Sequence, residues 1–394
     1  MLLPPARIRM LTRNRLNLPA CSFPLPESSP ALAAKHSIAV ILLAASLLSS
    51  CKPAPQPSAS EPQKALEEAA PAEPSSSPAA APLTPPKIAP TRPAAFRATL
   101  PAKPAPPGPY EIWKEFSGDK AFAEARSQVD IGPRPSGSPE IARARALIEK
   151  SLGASGWDIE RQSFTDETPR GPLQFVNIIA RFSPNGRHPA LDNTQKAIVC
   201  SHYDTKLFST IRFVGASVGA STGAALELAR VLALDPVLAS KIELVFFDGE
   251  EPIVQSTAPE DPHPDGLYGS RYYAKALRAG PRLAQFKFGI LWDMIGSRDL
   301  TITLPPDTPA ALSREIMAAA EALQLRNRFT VLDRPVLDDD WPLTHMGRIP
   351  TINLIDFDYT AWHTADDNLE RIGPESLQQV GAVTLYQLRK ALGR

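Results

Sequence analysis

From Tyr110 to the C-terminus, short apolar runs alternate with longer amphipathic stretches, and this alternation constrains the fold more than any other feature of the sequence. Ser138-Pro139-Glu140 supplies a helix N-cap followed by proline at the first helical position. Ile141, Ala144, Leu147 and Ile148 then recur at helical spacing until Gly153 stops the run. Strands are expected over 158–164, 174–182, 197–200, 242–247, 289–294, 300–304 and 351–354. Helices are expected over 223–234, from about 267, over 308–323 and over 374–392. Apolar strands interleaved with amphipathic helices predict an α/β domain built on a mixed, mainly parallel central sheet with helices on both faces. In such sheets, functional side chains gather where strands end at their carboxyl edge.

The chain before Tyr110 reads differently. Of the 43 prolines, 17 lie between Cys51 and Tyr110, mixed with Ala, Ser, Glu and Lys. Too few large apolar side chains occur there to offset the entropy of ordering, so 52–108 reads as a Pro/Ala-rich disordered tether leading to a domain over 109–394. The apolar segment 38–48 is too short to span a bilayer stably, and Arg7, Arg9, Arg13, Arg15 and Lys35 precede it. Leu48-Ser49-Ser50-Cys51 resembles a bacterial lipoprotein signal, which makes 1–51 a signal peptide with a lipobox and implies acylation of Cys51. The expectation is an exported cell-envelope lipoprotein held at a membrane by its lipid anchor. It would lie on the periplasmic side or at the outer membrane, toward which Lys52 leans. Cys21, Cys51 and Cys200 sit in unrelated contexts and imply no disulfide framework. With 42 basic and 42 acidic residues, bulk charge gives no reason to expect nucleic acid as a partner. A monomer is expected.

Chemistry-bearing residues cluster after the strand-like runs. Ser201-His202-Tyr203-Asp204 follows one run, Asp248-Gly249-Glu250-Glu251 another, and Trp292-Asp293 closes a third. Trp362-His363-Thr364 and Asp366-Asp367 follow the last. Singly, a histidine is more often structural and paired acids are more often a solvated face. Together, His, Glu, Asp and His at one sheet rim are the donors a catalytic zinc accepts, and three such ligands with an open position are the usual set. Adjacent glutamates on a turn point apart, so one can hold metal while the other serves as a base. These residues favour a metal-dependent hydrolase or transferase.

Phe213-Val214-Gly215-Ala216, Phe246-Phe247-Asp248-Gly249-Glu250-Glu251, Leu267-Tyr268-Gly269-Ser270-Arg271, Asp293-Met294-Ile295-Gly296 and Trp362-His363-Thr364 resemble the glutaminyl-peptide cyclotransferases. These glutaminyl cyclases belong to the zinc aminopeptidase-like exopeptidase superfamily. The match runs in order from about Phe116, through Gly132-Pro133-Arg134-Pro135, to the C-terminus.

The resemblance implies one zinc ion held by Glu251 and His363, with Glu250 moving a proton from the substrate α-amine to the departing ammonia. Asp293 would position the amine, Asp339 (or Asp338, one register away) would be the second supporting acid, and Trp362 would flank the glutamine side chain. The substrates implied are peptide or protein N-termini bearing Gln. His202 matches a second-metal ligand of two-zinc aminopeptidases, and here it is expected to be oriented by Asp204 or, at most, to help hold zinc.

The third zinc ligand of the family is an aspartate, and Val218 stands in its place. Valine cannot bind a cation, so the resemblance implies weakened zinc. The readings left beside the cyclase are a zinc aminopeptidase of the same superfamily and an inactive binding descendant. Asp340 also replaces a histidine, and Gln255-Ser256-Thr257 lacks an expected aromatic.

Overall fold

The computed structural model describes residues 111–183, 194–258, 261 and 264–393. The expected signal segment, Cys51 and the tether lie outside the described residues. In chain order the helices and strands are α1 (Gly118–Val129), α2 (Pro139–Ala154), β1 (Trp157–Thr168), β2 (Gly171–Phe182), β3 (Lys196–His202), α3 (Ala216–Leu232) and α4 (Pro236–Ala239). Then follow β4 (Ile242–Phe247), α5 (Tyr268–Ala279), β5 (Phe286–Asp293), β6 (Ile302–Leu304), α6 (Ala310–Ala322), β7 (Phe329–Val331), β8 (Thr351–Ile355) and α7 (Pro374–Leu392).

Six strands form one sheet in the order β1-β2-β4-β3-β5-β8, and β6 and β7 pair separately. The four strands β4-β3-β5-β8 are parallel, whereas β1 and β2 form an antiparallel hairpin that adds to β4. The central strands are rich in apolar residues because both faces are covered. Ile178, Val199, Leu244, Ile290 and Leu354 pack toward α1, α2, α3, α6 and α7. Their neighbours Ile179, Ile198, Cys200, Val245 and Leu291 pack on the opposite face with Tyr273 and Leu277 of α5. At the edge, β1 carries exposed Asp158, Glu160 and Arg161, and such charges discourage pairing with another chain.

Two differences from the sequence expectation share a cause. Helix α3 begins seven residues earlier than expected, at Ala216 rather than Gly223, and α1 was not anticipated. Gly219 and Gly223 punctuate the α3 sequence like a loop, but both lie against α1. A Cβ on Gly223 would come within 2.5 Å of the Ala121 carbonyl oxygen, and the facing side chains of α1 are Ala121, Ala125 and Val129. Small residues on both helices let the backbones approach, and neither shows a strong apolar stripe. The early start places Val218 in the first turn of α3, beneath the carboxyl edge of the sheet.

Candidate active site

The parallel strands deliver their carboxyl ends to one rim. His202 is the last residue of β3, Asp293 is the last of β5, the turn after β4 carries Glu250 and Glu251, and the loop after β8 carries Trp362 and His363. Together with Val218, Lys206, Arg334 and Asp338 they line a cavity of about 440 Å³.

The Glu250-Glu251 turn is fixed from below. Gly249 has φ +75°, a left-handed conformation that favours glycine, and a Cβ there would lie 2.5 Å from the Phe175 ring. The buried Asp204 carboxylate accepts hydrogen bonds from the backbone N–H of Glu250 at 3.1 Å and of Glu251 at 3.2 Å. The two side chains then diverge. Glu251 Oε1 meets His363 Nε2 at 2.9 Å, whereas Glu250 Oε2 lies 3.9 Å from His202 Nδ1.

His202 is buried between carboxylates, with Nδ1 3.4 Å from Asp204 and Nε2 3.3 Å from Asp293. Burial works against its charge, but Glu250, Asp204 and Asp293 outweigh it and hold its pKa well above that of free imidazole. Both ring nitrogens face these acids. Burial pushes the Glu250 carboxyl well up despite the His202 charge, and Glu251, Asp338 and Asp339 add to the effect. A carboxyl with a raised pKa at a cavity wall is suited to carrying a proton in both directions.

Of the two candidate supporting acids, it is Asp338 that lines the cavity. Its carboxylate accepts from Asn353 Nδ2 at 2.7 Å and from the Asp339 amide at 2.6 Å. Asp339 is fully buried and does not line that cavity, so of the two it is Asp338 that presents its carboxyl to the cavity. The pairing with Asn353 is the reason: a lone amide within the apolar strand β8 needs a buried partner, and Asp338 is within its reach.

His363 and Met294 have φ of +56° and +50°, conformations that cost energy in residues other than glycine. His363 is held by ring contacts, stacked on Trp362 at 4.4 Å between centroids and edge-on to Phe208 and Phe213. Trp362 keeps 47% of its surface exposed, leaving a face open at the cavity mouth. Deeper in, the fully buried Arg134 donates to the carbonyls of Tyr203, Val214 and Gly215, which ties the His202 segment to the start of α3. Asp367 accepts from the amide and hydroxyl of Ser217 at that helix start. Sequence reasoning missed Lys206, whose Nζ donates to the Pro252 carbonyl at 3.0 Å and lies 3.9 Å from Glu251 Oε2. Its only signal was a position two residues after Asp204.

Residues 177–388 match peptidase family M28. The chain belongs to that family. Within M28 it stands with the glutaminyl-peptide cyclotransferases. It is 30% identical over 316 residues to a glutaminyl-peptide cyclotransferase-like protein of Bos taurus, a match spanning 72% of this chain and 76% of the relative. The crystal structure of an Acidobacteriales bacterium glutaminyl cyclase superposes with a TM-score of 0.63 at 31% identity, covering 74% of this chain and 99% of that one. A Zn-dependent exopeptidase from Parabacteroides distasonis shares the fold at 24% identity, with a TM-score of 0.61 over 71% of this chain and 99% of that one.

Zinc is thus the metal that membership in M28 suggests, and the donor set can be tested against it. Glu251 and His363 face each other and could each give one donor. The third wall position is the isopropyl group of Val218, which is 3% exposed. His202 and Asp293 face each other at 3.3 Å. Among the described residues, no three His, Cys, Asp or Glu side chains stand together so as to hold a metal ion. The residues of this chain do not fit a catalytic zinc.

Proposed function

We propose that this protein converts N-terminal glutamine of peptides or proteins into pyroglutamate, with release of ammonia. The observation that carries the reading is the Glu250 carboxyl, with its raised pKa, at a cavity wall shared with Asp293, Asp338 and Trp362 in a chain related to named glutaminyl cyclases. The α-amine nitrogen bonds to the side-chain carbonyl carbon, and the bond from that carbon to the amide nitrogen breaks. Glu250 takes a proton from the amine and returns it to the departing nitrogen, so atoms balance without water. Asp293 and Asp338 hold the amine beside Glu250, and Trp362 covers the glutamine side chain. No step is assigned to zinc, because the donors at this wall do not fit it.

The experiment is turnover of Gln-peptides by the full chain, followed by ammonia release and by mass loss of the peptide. Glu250→Gln should lower kcat by about a hundredfold to ten-thousandfold, the range a positioned proton carrier supplies. Release of free amino acids, with no loss of ammonia from Gln-peptides, would overturn the reading in favour of an aminopeptidase.

The proposal extends to location: an exported bacterial lipoprotein whose domain over 109–394 is tethered through acylated Cys51. The support is the apolar segment 38–48 with its basic leader, Cys51 directly after it, and the proline-rich stretch that follows.

A further inference from the structure

We infer that the natural site takes up no divalent metal, and that Val218 alone separates it from a zinc site. This metal claim stands apart from the proposed cyclase reading.

Three observations carry it. Both oxygens of Glu251 already face nitrogen groups of the protein, Oε1 with His363 Nε2 at 2.9 Å and Oε2 with Lys206 Nζ at 3.9 Å. Lys206 is held there, its side chain 15% exposed and its ammonium bonded to the carbonyl of Pro252, the residue after Glu251. Its charge therefore stays with the turn that carries Glu251.

Val218, finally, is fixed in place. It follows Ser217, whose amide and hydroxyl both bond to Asp367, and Arg134 binds the carbonyl of Gly215 just before the helix. The α3 backbone thus has no slack with which to bring another donor to that position. A borderline cation such as zinc needs three protein ligands of the His, Cys, Asp or Glu kind, and here it would find two that already satisfy each other.

The same anchoring implies that a carboxylate at position 218 would project into the cavity that Glu251 and His363 line. One substitution should therefore install the missing donor without rebuilding the wall.

The test measures zinc bound per full-length chain, after incubation with excess zinc and dialysis, for the natural protein, Val218→Asp and Lys206→Met. The natural chain and Lys206→Met should retain no zinc, and Val218→Asp about one ion per chain. The affinity gain of Val218→Asp should exceed the ~10–100-fold that a partner supporting a metal ligand is worth. Cobalt(II) in Val218→Asp should give the visible absorption of a tetrahedral site.

Stoichiometric zinc in the natural chain would overturn the inference, as would failure of a folded Val218→Asp to gain any. Zinc uptake by Lys206→Met would also overturn it, by showing that charge rather than a missing donor excludes the metal. Turnover of Gln-peptides, run beside these measurements with a chelator present, separates the two claims. A zinc-free natural chain that turns over supports both. A zinc-free natural chain that is inert, beside an active zinc-loaded Val218→Asp, leaves the metal inference standing and removes the cyclase activity of the natural protein.

Discussion

Burial raises the Asp338 carboxyl to about 7, and the charge of Asp293 adds to this, while the Asp339 amide and Asn353 bond to the charged form and oppose it. Asp339, one residue on, is also pushed well up by burial and by the charge of Asp338, but it does not line the cavity. Asp338→Asn should lower turnover by between about tenfold and a hundredfold, the cost of a substrate held slightly out of place, and Asp339→Asn should change it little. The reverse ranking in kcat would return the role to Asp339. Asp248 offers a test by stability. Burial and the charge of Asp204 raise its carboxyl to about 6 from an ordinary value of 3.8, although Ser136, the Val176 amide and Arg145 all favour the charged form. The folded state therefore binds this proton more tightly than the unfolded state, and the associated stability is present near pH 4 and lost as pH rises through 6. The stability of the natural chain minus that of Asp248→Asn, read from denaturant melts, should fall by on the order of 3 kcal/mol between pH 4 and pH 7. A difference that grows with pH would contradict this. Glu250, Glu251, Asp293, His202, Trp362 and His363 were legible because they follow apolar runs. Asp338 could not be separated from its neighbours, because three consecutive aspartates carry no period that says which one turns inward.

Helices α1 and α3 show how an element escapes a reading based on hydrophobic stripes. The buried face of α1 is Ala121, Ala125 and Val129, and the facing positions of α3 include Gly219 and Gly223. The approach is close because no side chain intervenes, and close-packed interiors tolerate added atoms poorly. Gly223→Ala should destabilise the fold by about 1–3 kcal/mol, since the clash is with the backbone of α1 and no side chain can move aside. A thermal melt that is unchanged or raised would refute the packing argument. The same helix carries Val218 at its first turn, so strain between α1 and α3 would also reach the cavity. The strands of the main sheet, by contrast, were placed within a few residues from the sequence, because burial on both faces leaves the central ones rich in apolar residues, whereas the short β7 was not anticipated.

At the scale of the whole molecule, the doubly covered sheet gathers residues from His202 to His363 at a single rim. The proposed lipid anchor would present that rim to exported peptides from a membrane surface. Cys51→Ser, expressed with the full leader, should move the protein from the membrane fraction to the soluble fraction and abolish labelling by a fatty-acid analogue. Retention at the membrane without labelling would leave the apolar segment itself as the anchor.

The order of apolar and amphipathic segments was enough to determine a mainly parallel α/β sheet, the strand ends that bear the chemistry, and the kinship written in Phe246 to Glu251 and in Trp362 to Thr364. These are local features, and periodicity and short motifs record them. Tertiary structure alone decided which aspartate of 338–340 faces the cavity, that Asp204 holds both glutamates through their amides, and that Lys206 stands beside Glu251. Each depends on contacts between segments far apart in the chain, whose distances follow from packing and leave no trace in spacing. Val218 belongs to both. Its side chain was known from the sequence to lack a donor, and the tertiary structure places it in the anchored first turn of α3 at the cavity wall.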